Sequence, residues 1–197
     1  MPAGPIEVTS EPRGMLEQYA EVSIAFEVHE VFDMGRGANG TPRLIEPARR
    51  LASSYRKDYD ILDGGPIRWP ERFDLSAWGL FGATIGGNRV GGAAVAVDPT
   101  GSLDLAEGRD DVALLWDLRV SDNARHQGVG SALFRAAERW AAMKGFRQLE
   151  VETQNNNVPA CRFYERMGSV LRAANHGAYP ELPDEVQLLW CKQLRGV

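Results

Sequence analysis

The chain has 197 residues, 44% of them hydrophobic and 25% charged, and a formal net charge of −5. That length suffices for one sizeable core and is short for two, and the composition is that of an ordinary globular protein rather than a collagen, a disordered chain or a disulfide scaffold. No basic stripe stands out, no apolar run approaches the ~18 residues of a membrane span, and Cys161, Cys191 and the three scattered histidines show no metal-ligand spacing, so neither a nucleic-acid partner, a membrane partner nor a metal is expected.

The start, residues 1–13, is polar and carries Pro2, Pro5 and Pro12. It lacks the basic-then-apolar layout of a signal peptide, and a reduced, cytoplasmic protein is the default expectation. Residues 19–32 alternate, with Ala20, Val22, Ile24, Phe26 and Val28 on one face, which predicts a half-buried strand. From 33 to 75 glycines and prolines break every apolar run; a short helix over 47–56, opened by Pro47, interrupts an otherwise irregular segment on the expected substrate side. Asp58, Asp60 and Asp63, with Tyr55, Tyr59 and Trp69, read either as an acidic, aromatic rim for a cation or as a solvated loop.

Regular patterning follows. Residues 77–85 and 89–97 predict a hairpin turning at Gly86-Gly87-Asn88. Val112–Val120 is a nearly continuous apolar run, as in a central strand covered on both faces. Val129, Leu133, Ala136, Ala137, Trp140 and Ala141 recur at helical spacing over 129–144, ahead of Gly145. Residues 146–153 alternate as a strand, and a helix follows with Asn157 as cap, Pro159 in its first turn and Gly168 past its end. Two strands, 170–174 and 185–194, close the chain. The order implies a mixed α/β fold, one sheet with a parallel pair at its centre and helices flanking it. Trp78 and Trp116 read as core residues.

The stretch that carries chemistry is Arg125-His126-Gln127-Gly128-Val129-Gly130-Ser131, between a strand and an amphipathic helix. A helix start preceded by glycines presents unpaired N–H groups and a partial positive charge to an anion, and glycine lets a phosphate approach the backbone. A dinucleotide fingerprint would need a glycine where Leu133 stands, and a P-loop would need a lysine after Gly130. Taken alone, the loop also reads as a strand-to-helix turn without a ligand.

The pattern Leu118-Arg119-Val120, then Arg125 to Gly130, then Asn157-Val158-Pro159-Ala160-Cys161-Arg162-Phe163-Tyr164 ending at Gly168 resembles the GNAT acetyltransferase superfamily. Within it, Glu152 to Cys161 followed by Phe163-Tyr164 is similar to streptothricin acetyltransferases. The resemblance covers residues 76–194 and implies a single domain over 1–197, a splayed pair of parallel central strands, and acetyl-CoA as cosubstrate. It implies that main-chain groups of Leu118, Arg119 and Val120 pair with the pantetheine arm. The amides from Gln127 through Val129 and Gly130 to Ser131 would hold the pyrophosphate, with Arg125 adding positive field and His126 standing where glycine is common. Asn157 would bond the pantetheine region, and Tyr164 would act as general acid on the leaving thiolate. Ser169 replaces a common phenylalanine after Gly168.

Direct attack of a primary amine on the thioester is the expected reaction. Asp117 and Glu152 lie where a base or substrate contact is needed; each reads equally as a hydrogen-bonded strand carboxylate. Cys161 fills an apolar helix face, with no histidine placed to activate it, and His29 and His176 read as structural or exposed. A small-molecule amine, such as an antibiotic of the streptothricin type, is the leading acceptor; acetylation of peptides and a non-catalytic CoA-binding module are the alternatives. Members of such families often form a homodimer, which the resemblance therefore brings with it as an expectation.

Overall fold

The computed structural model describes residues 4–97 and 109–194, with the side chain of Asp63 excepted, so Pro2 lies outside the described residues. The chain divides into two compact units, one built from Met1–Ala25, Asp58–Leu149 and Leu194–Val197, the other from Phe26–Lys57 and Glu150–Gln193.

In the first unit, β1 (Ile6–Ser10), β4 (Gly79–Ile85), β5 (Asn88–Ala96) and β6 (Val112–Val120) form an antiparallel sheet in the order β1-β4-β5-β6. The β4–β5 hairpin and β6 lie where the apolar patterning predicts. Helix α4 (Val129–Met143) buries Val129, Leu133, Phe134, Ala136, Ala137 and Ala141 and packs across all four strands. Its apolar stripe accounts for that placement: residues three and four apart share one helix face. A second cluster joins Leu16 and Tyr19 of α1 (Leu16–Ala20) to Trp69 of α3 (Gly65–Arg72), Leu75, Leu80 and Ala94. Tyr19 approaches the sheet so closely that a Cβ on Gly92 would stand 2.3 Å from its ring.

In the second unit, β7 (Gln148–Gln154, all but its first two residues) neighbours β9 (Val186–Gln193), which pairs antiparallel with β8 (Val170–His176). A separate ribbon pairs β2 (Phe26–Arg36) with β3 (Pro42–Lys57). Helix α5 (Val158–Arg166) packs on β2 and β8, capped by Asn157, whose Oδ1 accepts the Ala160 N–H at 3.2 Å.

Three expectations are corrected. The predicted strand over 19–32 begins only at Phe26, because Leu16 and Tyr19 share a face of α1 and are drawn into the core. Residues 33–75 are ordered rather than irregular: they finish β2 and supply β3, α2 (Asp60–Asp63) and α3. The predicted helix at 47–56 is part of β3, whose register on β2 shifts twice and whose side chains are mostly exposed, so no period-2 apolar pattern is written into it. Trp69 and Asp60, read as members of either a cation rim or a solvated loop, are respectively buried in the core and ion-paired to Arg119. Trp78 and Trp116 pack with Phe73 at the edge of the core, as expected.

Candidate active site

The loop that follows β6 is pinned from below. Arg125 donates to the Ala25 carbonyl at 3.0 Å and to the Val120 carbonyl at 3.4 Å, and pairs with Asp122 at 3.0 Å. Gln127 donates to the Asn123 carbonyl at 2.7 Å. These bonds commit both side chains to holding the loop. His126 and Gly128 both take left-handed backbone conformations, φ 61° and 92°, which Gly128 adopts without the penalty that a Cβ brings. The turn delivers the chain into α4 with no side-chain cap, and the Ala132 N–H is the first to reach back, to the Gly128 carbonyl at 3.0 Å. The amides of Val129, Gly130 and Ser131 precede that bond and have no acceptor within the helix. A Cβ on Gly128 would meet only Ile6 Cδ1, at 3.7 Å, so the glycine answers to the left-handed backbone rather than to crowding. Unpaired amides at a helix start carry a partial positive charge, the kind of cradle that can hold an anion.

The strand leading to the cradle is held by a buried ionic network. Arg119, its side chain fully enclosed, donates to Asp117 at 2.9 and 2.7 Å, to Asp60 at 2.9 and 3.1 Å, and to the Val22 carbonyl at 2.9 Å. The Tyr19 hydroxyl donates to Asp117 at 2.6 Å, and its ring lies 5.2 Å from the guanidinium. Burial and the Asp117 charge raise the Tyr19 phenol well above its ordinary range, so it stays a donor; the Asp117 charge and hydrogen bonds likewise raise Arg119 against the opposing effect of its burial. Both oxygens of Asp117 are thereby occupied. Main-chain groups of Leu118, Arg119 and Val120 pair on one side with Ala93, Gly92 and Gly91.

In the second unit Tyr164 is buried on α5, its ring 5.1 Å from that of Phe163 in an edge arrangement. Cys161 is buried beside Thr153 at 3.6 Å, and burial pushes its thiol up to about 12, which suits a packing residue and not a nucleophile. Glu152 sits half-buried on β7 with both oxygens bonded: Tyr179 and Gln154 donate to Oε1, the latter at 3.2 Å, and Gln187 donates to Oε2 at 2.7 Å. Tyr179 and Gln187 were not singled out by the sequence; Gln187 lies two residues past the start of the predicted last strand, and Tyr179 in the turn before it, where no pattern marks them.

A cavity of about 340 Å³ in the first unit is lined mainly by Leu16, Trp69, Leu75, Trp78 and Leu80. Its polar groups are already engaged, Glu11 with Arg89 at 2.6 Å and Arg13 with the Ser76 carbonyl. No group of three or more His, Cys, Asp or Glu among the described residues is placed to hold a metal, and no helix among them is long and apolar enough to cross a membrane.

Comparison with known proteins points to one family. Residues 48–169 match the model of the acetyltransferase (GNAT) family, beginning well before the stretch from 76 that the motifs mark out. A streptothricin acetyltransferase of Escherichia coli is 29% identical over 180 residues, 88% of this chain and 90% of its own length. Streptothricin acetyltransferase A of Bacillus subtilis is 32% identical over 92 residues, 46% of this chain and 53% of its own. Among solved structures, a Bacillus anthracis protein bearing the provisional name streptothricin acetyltransferase, in complex with acetyl coenzyme A, superposes with a TM-score of 0.77 at 22% identity, covering 96% of this chain and all of that one. A nourseothricin acetyltransferase superposes at 0.73 and 21% identity, covering 96% and 99%. The mixed α/β fold, mostly antiparallel with helices flanking, is that of these structures.

Proposed function

Because the chain belongs to the acetyltransferase (GNAT) family and is an acetyl-CoA-dependent acetyltransferase, we propose that its acceptor is the primary amine of a small molecule, an amine antibiotic of the streptothricin type. The names borne by its relatives support that class of acceptor, and the alignment with the Escherichia coli relative spans nearly the whole of both chains. We take residues 1–197 as one catalytic domain, since the family match runs through both compact units.

The observation that carries the reading is the set of amides at the start of α4 that have neither a helix acceptor nor a side-chain cap. In this proposal the N–H groups from Gln127 to Ser131 grip the diphosphate of coenzyme A. Hydrogen bonds to a charged acceptor contribute roughly 1.5–3 kcal/mol each, so a few of them suffice for firm binding. Main-chain groups of Leu118 to Val120 run along the pantetheine arm. The Oδ1 of Asn157 is spent on its helix cap, which leaves its amide N–H₂ as the donor for that region.

Bound acetyl-CoA supplies an acetyl group activated as a thioester. An acceptor amine with a pKa near 10.4 must lose a proton to attack, at a cost of about 4.6 kcal/mol at pH 7, and a carboxylate near it lowers that barrier directly or through water. Glu152 is the better candidate for contact with the acceptor, because Asp117 is locked to Arg119 and Tyr19. The Tyr164 hydroxyl then gives its proton to the departing thiolate. A cytoplasmic protein goes with this reading, both cysteines being free thiols; we expect neither a nucleic-acid nor a membrane partner, and a homodimer would be seen by sedimentation.

Thiol release from acetyl-CoA, followed over a panel of small amines and peptides, tests the proposal. Release confined to small amines is expected, with Tyr164→Phe lowering turnover far more than acetyl-CoA affinity. Release confined to peptides would overturn the choice of acceptor, and unchanged turnover in Tyr164→Phe would remove that residue's role.

A further inference from the structure

Several buried and half-buried carboxylates in this protein come with a cation. Asp117 and Asp60 share Arg119, Glu11 holds Arg89 at 2.6 Å, Glu30 holds Arg162 at 3.1 Å, Glu150 holds Arg172 at 3.3 Å, and Glu185 is bonded to Lys57. Glu152 differs from these. Its partners are the neutral donors Tyr179, Gln154 and Gln187, and no lysine, arginine or histidine among the described residues pairs with it. Its hydrogen bonds are satisfied and its charge is not.

The supporting shell is closed on itself. Gln154 Nε2 donates at 2.9 Å to the Tyr179 hydroxyl as well as to Glu152, so one amide and one phenol fix a single carboxylate oxygen while Gln187 fixes the other. The Tyr179 phenol is raised well above its ordinary range by burial and by the charges of Glu152 and Glu185, and stays a donor at any working pH. Two carboxylates, Glu152 and Glu185, thus bear on one hydroxyl, with Lys57 as the cation bonded to Glu185. Donors of this kind orient an anion without neutralising it, and a half-buried anion without a counter-ion is stabilised by any cation that reaches it.

Resting on the acetyltransferase reading above, we infer that Glu152 is the recognition group for a cationic acceptor, pairing with an ammonium of the substrate, and that Tyr179 and Gln187 are positioning residues that aim its carboxylate. Specificity follows from the charge. A substrate bearing an ammonium satisfies the site, whereas a neutral analogue leaves the carboxylate alone in a partly desolvated place.

Steady-state kinetics on the full chain test this, with acetyl-CoA and a streptothricin as the varied substrates. Glu152→Gln keeps the shape and removes the charge; KM for the antibiotic should rise roughly 10- to 100-fold, the range of a charge-assisted hydrogen bond, while KM for acetyl-CoA stays within about twofold. Tyr179→Phe and Gln187→Ala should raise the antibiotic KM by smaller factors with acetyl-CoA again unaffected, a split that general loosening of the fold would not give. An unchanged antibiotic KM in Glu152→Gln, with the wild type active, overturns the inference and leaves the proposed function standing. A wild type inactive on every amine overturns both.

Discussion

Replacing Arg119 with methionine probes how the strand before the anion cradle is held. The substitution keeps most of the side-chain volume and deletes five hydrogen bonds, two to Asp117, two to Asp60 and one to the Val22 carbonyl. The two carboxylates respond differently. Asp60 is 29% exposed and can turn to water, so its share is on the order of 1 kcal/mol. The Asp117 side chain is 5% exposed and is left with the Tyr19 hydroxyl alone. Breaking a buried pair from one side costs about 3–5 kcal/mol, because the surviving charge stays desolvated. Together these come to roughly 4–6 kcal/mol, and for a chain of this size about 1 kcal/mol moves the melting temperature by ~2–4 °C, so Arg119→Met should melt ~8–24 °C lower than wild type. Asp60→Asn should lose only ~2–4 °C on the same scale. Thermal melts followed by circular dichroism, with urea titrations for the free energies, give both numbers. The companion double variant Asp117→Leu/Arg119→Met removes both buried charges and should recover more than half of the loss. A single variant within about 1 kcal/mol of wild type, or a double variant worse than the single, would refute the idea that a desolvated Asp117 charge governs the effect.

Gly128→Val places a β-branched residue at φ 92°. The space there is open, so the expected loss of stability is the conformational strain of about 1–2 kcal/mol, while acetyl-CoA affinity falls ~10-fold or more as the Cβ branches crowd the cradle; calorimetric titration and urea melts check the two separately. Cys161, with its thiol pushed up to about 12 by burial, stays protonated through neutral and mildly alkaline pH, so an alkylating reagent should leave it unmodified in the folded protein even at pH ~9 and reach it only after unfolding, as read by peptide mass mapping.

The parts of this fold that the sequence reveals are those where one face is buried and the other is not, or where a strand is covered throughout. Val112–Val120, the stripe of α4 and the capped α5 have that character, and the structure places them where the patterning does. The β2–β3 ribbon has neither property. Most of β3 is exposed on both faces and its register slips past Val28 and Val31, so selection for apolar alternation has nothing to act on. Leu16 and Tyr19 show a different limit: a five-residue helix holds too few turns to display a period against the alternation that follows it. At the site, glycine and the helix start are visible as letters, because the backbone conformation demands them. The Arg119 network and the shell around Glu152 join residues 59 and 35 positions apart, and no local spacing encodes such pairings.

Acetyl transfer to a small cationic amine is tested most directly by mass spectrometry of a streptothricin incubated with the purified protein and acetyl-CoA. The prediction is an antibiotic carrying one added acetyl group, with an equal amount of free coenzyme A thiol released. An unmodified antibiotic beside intact acetyl-CoA, from protein shown to be folded, would contradict it.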